Sequence, residues 1–382
     1  MIIKSKNVWI DEEFIPASLE IIEGRIERIL PYRYSDEAID YGDKFILPGL
    51  ISIHDHGSQG NSANRGTFEE MDKWSLNLLK EGVTTFYPTI STITLKEMEI
   101  AMVNLARFIE GQERGARARG MHVEGIFLSP EKAGAHNIDL LHHADVNLFI
   151  KWQHLAKGNI KLLSIAPEID ENFRLIKAAS EAGVVISLAH TNASFYLANE
   201  AILYGAKSFT HLFNAMSGIH HRKPGTVTAG LVNDDVYCEL ICDGHHVDFN
   251  VGQLVCRCKP DDKLIAITDA VPFKDLVPGD YNVDDMGLTV TIDNKGHISL
   301  ADGTLAGSSA KMHEMVNNIH KQMGQPYKVA IKAATINPAC LLGIDDQVGL
   351  IQEGYQADLI VTDDNFRVES TYVAGVLEFR LK

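Results

Sequence analysis

Between residues 45 and 269 the chain repeats one unit: a short apolar segment that ends on an ionisable side chain or a proline, then a stretch of helical period. The apolar segments are Phe45–Ile53, "GVTTFYPTI", "ARGMHVEG", "IKLLSIAPE", "GVVISLAH", "KSFTHLF", "VYCELICDGHH" and "KLIAITDA". Near-continuous apolar strands separated by helices read as a parallel sheet covered on both faces. The helices carry start signals. Thr67 and Glu70 form a capping-box pattern ahead of Met71, Trp74 and Leu78, and Thr94 and Glu97 do the same ahead of Met98, Met102 and Leu105. Eight units predict an α/β fold, a closed (β/α)8 TIM-type barrel over residues 48–345. The two ends of the chain, 1–47 and 346–382, alternate like short strands with turn punctuation. They predict a small β-sandwich domain built from both termini.

Ionisable residues gather at the strand ends. In "SIHDHGSQG", strand alternation turns His54 and His56 to one face and Asp55 to the other. Glu124, His190, His211 and Asp269 close four later strand candidates. The C-terminal ends of parallel barrel strands open on one mouth, so residues two hundred positions apart converge there. Three or four imidazoles with a carboxylate suit zinc or iron, with manganese or cobalt as alternatives, rather than magnesium or calcium. Glu124 either holds one ion or bridges two, with His54 and His56 completing a second position. Asp269 is placed as the general base beside an activated water. The duller readings are core histidines at His190 and His211, a buried arginine pairing with Glu124, and Asp269 capping the next helix.

A net charge of −16 argues against nucleic acid as a partner, and an anionic substrate would need a local basic pocket. The stretch "HHRK", residues 220–223, supplies positive charge, or else is a solvated loop. Apolar runs such as Val184–Ala189 are too short to span a bilayer. With no basic, apolar leader at Met1–Lys4 and five cysteines in no paired framework, the expectation is a cytoplasmic protein with reduced thiols, Cys256 and Cys258 included.

Taken together, "PGLISIHDHG", "HVEGIFLSPEKAGAHN", "SLAHTNAS", "THLFNAMSGIHHRKPG", "CDGHHVD", "ITDA", "LAGSSAKM" and "ATINPACLLG" make the chain resemble the amidohydrolase superfamily, and within it the deacetylases of amino-sugar 6-phosphates. The resemblance spans nearly the whole length, and its second and fourth stretches are the most specific. It implies one or two divalent ions held by Glu124, His190 and His211, with His54 and His56 at the second. Asp269 becomes the catalytic acid and base, and His246 polarises an acetyl carbonyl. Ala135, His136, Asn214, Ala215 and the loop of Leu305, Ala306 and Gly307 would hold a sugar. His245 stands where the pattern has a residue such as leucine, and is counted with the sugar contacts. Arg222 would meet a phosphate, reaching into the neighbouring subunit's site of a homodimer. The implied reaction removes the acetyl group of N-acetyl-D-glucosamine 6-phosphate, giving D-glucosamine 6-phosphate and acetate. The galacto epimer, a cyclic amide and a barrel without chemistry are the rival expectations.

Overall fold

The computed structural model describes residues 1–283 and 288–382. Its centre is a barrel of eight parallel strands: Leu50–Asp55, Val83–Ile90, Met121–Val123, Ile160–Ile165, Val185–Leu188, Ala206–Phe209, Tyr237–Ile241 and Leu264–Ile267, paired in that order. They are called barrel strands 1 to 8 below. The ring closes between strands 8 and 1. Asp55 and Ala270 form a parallel bridge, His56 N donates to Ala270 O at 2.7 Å, and Asp269 N donates to His54 O at 3.2 Å. The strands are buried because helices cover the outside. In the helix Phe68–Leu78, Thr67 caps the start and Met71, Trp74 and Leu78 face inward. In Leu95–Gly111 the Thr94–Glu97 capping box is complete, and Met98, Met102 and Leu105 are buried. Both helices thus begin and face as their sequences predict.

The chain ends meet in a second sheet. Strands Val376–Arg380, Val368–Val373, Leu359–Thr362, Phe45–Pro48, Ile2–Ile10, Glu13–Ile22 and Arg25–Pro31 lie side by side in that order. Ile3, Val8, Leu19, Ile46, Leu359 and Tyr372 form a core of their own there. The apolar run Phe45–Ile53, which reads as one strand in sequence, is therefore two. Its first half pairs with Leu359–Thr362, and its second half opens the barrel. Gly49 makes the change of sheet: a Cβ there would sit 2.1 Å from Thr84 Oγ1.

One element was not foreseen. After barrel strand 8 the chain forms a three-stranded antiparallel sheet, Gly279–Val283, Leu288–Ile292 and Ile298–Leu300, before the helix Met312–Lys321. This insert stands over the barrel mouth and supplies part of the cavity wall described next.

Candidate metal centre and active site

The six ionisable residues meet at the mouth. Glu124, one residue past strand 3, lies between two groups and turns one oxygen to each. Its Oε2 is 3.2 Å from His54 Nε2 and 3.1 Å from His56 Nε2. Its Oε1 is 2.8 Å from His211 Nε2 and 3.5 Å from His190 Nε2. Asp269 Oδ1 completes the first group, 3.4 Å from His54 Nε2 and 3.3 Å from His56 Nε2. Within each group the donor atoms lie within 4.8 Å of one another. Among the described residues no arginine pairs with Glu124, so the duller reading of that carboxylate falls.

Local backbone explains how the side chains are aimed. His54 and His56 share a face because Asp55 sits between them in extended chain, and Asp55 turns away to accept from Gly57 N at 3.0 Å. His190, His211 and Asp269 lie two residues beyond their strands, at φ of 42°, 32° and 50°. Left-handed backbone is costly for a residue with a Cβ, about 1–3 kcal/mol each, and such strain clusters at working sites. It bends each side chain into the mouth instead of letting it continue along the wall.

The hydrogen bonds around the rings test whether a cation fits. His54 Nδ1 faces Glu239 Oε2 at 3.0 Å, His56 Nδ1 faces Thr89 O at 3.0 Å, and His190 Nδ1 faces Lys132 O at 2.8 Å. Each acceptor takes the Nδ1 proton and leaves the Nε2 lone pair pointing inward, which is how metal-binding histidines are held. Electrostatics run the same way. Burial alone would favour neutral rings, yet Glu124 and Asp269 raise His54 well above its ordinary range. The same two carboxylates, by hydrogen bonding, take His56 to about 9. Burial would likewise raise Glu124, but His54, His190 and His211 hold it well below the usual carboxylate range. The pocket attracts positive charge, and the donor set of nitrogen with carboxylate suits zinc or iron.

The ions would sit at the floor of a cavity of about 620 Å³. Its wall includes Ala135, His136, Asn214, Ala215, His246, Leu305, Ala306 and Gly307, all proposed from sequence. The insert contributes Tyr281, Asn282, Val290 and Leu300. His136 is half-buried and edge-on to His190, with ring centroids 4.5 Å apart; desolvation of its ring lowers its pKa to about 3, so it is a neutral hydrogen-bonding group. His246 is fixed by Asp243, whose Oδ2 lies 2.7 Å from Nδ1 and whose Oδ1 accepts from His246 N at 2.8 Å. Its Nε2 is buried without a partner.

Two expected contacts are not at this wall. His245 turns outward and stacks on His297, with ring centroids 3.7 Å apart, beside a smaller cavity. Arg222 is exposed, with Nη1 2.8 Å from His221 Nε2 and its main-chain N donating to His220 Nδ1 at 3.2 Å. Asp243 and Glu239, which hold His246 and His54, were missed. Asp243 lies within the quoted "CDGHHVD" and could have been found there; Glu239 sits inside an apolar strand and gives no such signal.

The amidohydrolase family profile matches residues 45–377. The chain belongs to the amidohydrolase family. An N-acetylglucosamine-6-phosphate deacetylase from Bacillus subtilis is 35% identical, with 94% of this chain and 92% of that one covered. An N-acetylgalactosamine-6-phosphate deacetylase from Escherichia coli O157:H7 is 28% identical over 97% of this chain and 95% of its own. Among solved structures, a mutant N-acetyl-D-glucosamine-6-phosphate deacetylase from Mycobacterium smegmatis, in complex with N-acetyl-D-glucosamine-6-phosphate, superposes with a TM-score of 0.93. It is 28% identical, and 99% of each chain is covered. This amidohydrolase thus shares its whole architecture with deacetylases of phosphorylated amino sugars.

Proposed function

We infer that the chain hydrolyses the acetamide of N-acetyl-D-glucosamine 6-phosphate to D-glucosamine 6-phosphate and acetate. The observation that carries this reading is the split carboxylate of Glu124, shared between a His54–His56–Asp269 group and a His190–His211 group at the floor of a sugar-sized cavity. A divalent cation bound there supplies polarisation of the amide carbonyl and an activated water. The rest falls to the protein. Asp269, on the cavity floor with Oδ1 toward both His54 and His56, takes a proton from the attacking water and returns it to the departing nitrogen. His246, held at Nδ1 by Asp243, turns Nε2 toward the acetyl oxygen, where negative charge develops.

Ala135, His136, Asn214, Ala215 and the Leu305–Gly307 loop hold the sugar in this reading. Arg222, away from its own cavity, serves the phosphate of a second subunit in a homodimer. Membrane and nucleic-acid roles are set aside: among the described residues no helix is long and apolar enough to cross a bilayer, and the net charge is −16. We place the enzyme in the cytoplasm, in keeping with its five free cysteines.

The test is acetate release from the gluco and galacto 6-phosphates, with metal analysis on the same preparation. Release from the gluco substrate at a kcat/KM tenfold or more above the galacto epimer supports the reading. Release from neither removes it.

A further inference from the structure

Glu239 lies at the third position of barrel strand 7 and is fully buried. Its Oε2 meets His54 Nδ1 at 3.0 Å, while its Oε1 is buried with no hydrogen-bond partner. Among the described residues His54 is its only ionic contact. A buried carboxylate with so little around it is a poor choice for stability, and an apolar side chain of similar volume would serve a strand better. Three carboxylates, Glu124, Asp269 and Glu239, surround His54, and none pairs with a lysine or arginine among the described residues. The anchors of the other rings differ in kind: His56 and His190 give their Nδ1 protons to main-chain carbonyls. His211 Nδ1 has no partner among the described residues, so of the four rings only His54 is held by a carboxylate, which makes its opposite nitrogen a stronger donor to a metal.

We propose that Glu239 is a positioning residue that holds His54 as an Nε2 ligand and thereby sets the affinity of the His54–His56 half of the centre for a second divalent cation, leaving the His190–His211 half unchanged. The inference rests on the metal reading above. It concerns one half of the centre only, because among the described residues the Glu239 side chain hydrogen-bonds and ion-pairs with His54 alone, and not with His190 or His211.

The test uses the full-length chain stripped of metal and titrated with zinc, with bound zinc per chain measured across a range of free zinc. The parent takes up two ions. Glu239→Leu keeps the first at parental affinity and binds the second about 10- to 100-fold more weakly. Glu239→Gln, which still accepts the Nδ1 proton but lacks the charge, falls between them. Metal-free Glu239→Leu melts no lower than the metal-free parent, whereas a merely structural Glu239 would make it melt lower. The proposal is overturned if Glu239→Leu binds both ions as the parent does, weakens both equally, or destabilises the metal-free chain. A parent that saturates at one zinc also overturns it, while leaving the His190–His211 centre in place. A parent that binds none removes the metal reading itself.

Discussion

The Nε2 atoms of His190 and His211 stand 3.2 Å apart. His190 has already given its Nδ1 proton to Lys132 O, so its Nε2 presents a lone pair to the other ring. Only a proton or a cation between or beside them makes that approach favourable, and Glu124 Oε1 completes the cradle at 2.8 Å from His211.

Cation binding should therefore register as stability. Zinc at a thousandfold excess over its dissociation constant stabilises the native state by about 4 kcal/mol. Thermal melting with zinc should lie above melting in chelator. Coincident curves would mean the cradle does not hold an ion.

Asp269 gives the sharpest kinetic prediction. Asparagine keeps its shape but cannot carry a proton, so Asp269→Asn should lower kcat by about 10²- to 10⁴-fold. Metal content, read by elemental analysis, should fall far less. Turnover within tenfold of the parent would assign the proton transfer elsewhere.

Asp243 acts through His246. Replacing it by asparagine removes the charged partner of His246 Nδ1, and a hydrogen bond to a charged group is worth roughly 1.5–3 kcal/mol. Asp243→Asn should cut kcat by about 10- to 100-fold, with little change in KM and unchanged zinc content. A change confined to KM would mean that His246 binds substrate without assisting the reaction.

The proposed role of Arg222 at the phosphate predicts an effect on binding and none on chemistry. Arg222→Ala should raise KM for the phosphorylated sugar by about tenfold or more, since a charged contact of ~1.4 kcal/mol is a factor of ten, and leave kcat nearly intact. Steady-state kinetics on the 6-phosphate and on the unphosphorylated sugar checks it, because the latter should not respond.

A structural prediction concerns Lys274, which is fully buried with Nζ 2.5 Å from Glu81 Oε1. Glu81 Oε2 also accepts from Met312 N at 3.0 Å, at the start of the helix Met312–Lys321. Glu81→Gln strands a buried ammonium and should cost about 3–5 kcal/mol in denaturant unfolding. Adding Lys274→Met should recover part of that loss.

The parts of this molecule that sequence discloses share one property: they are local or periodic. His54 and His56 follow from strand alternation, the helix faces from a period near 3.6, and the barrel from repetition. What stays hidden is set by tertiary contact. Nothing about Glu239 in "VYCELI" marks it as the partner of His54, 185 positions away. The left-handed backbone at His190, His211 and Asp269 carries no glycine to advertise it. The insert strands Gly279–Val283, Leu288–Ile292 and Ile298–Leu300 are short, and no local pattern tells that Tyr281 and Asn282 line the cavity. The outward turn of His245 depends on His297, a residue of that same insert.

The barrel's seam runs through its own chemistry, since Asp269 N and His54 O are joined where the last strand returns to the first. Asp269 and His54 come from opposite ends of the barrel's sequence, 215 positions apart, and meet only when the final staves lock. A chain whose last barrel strand has not docked on its first leaves Asp269 apart from His54 and His56.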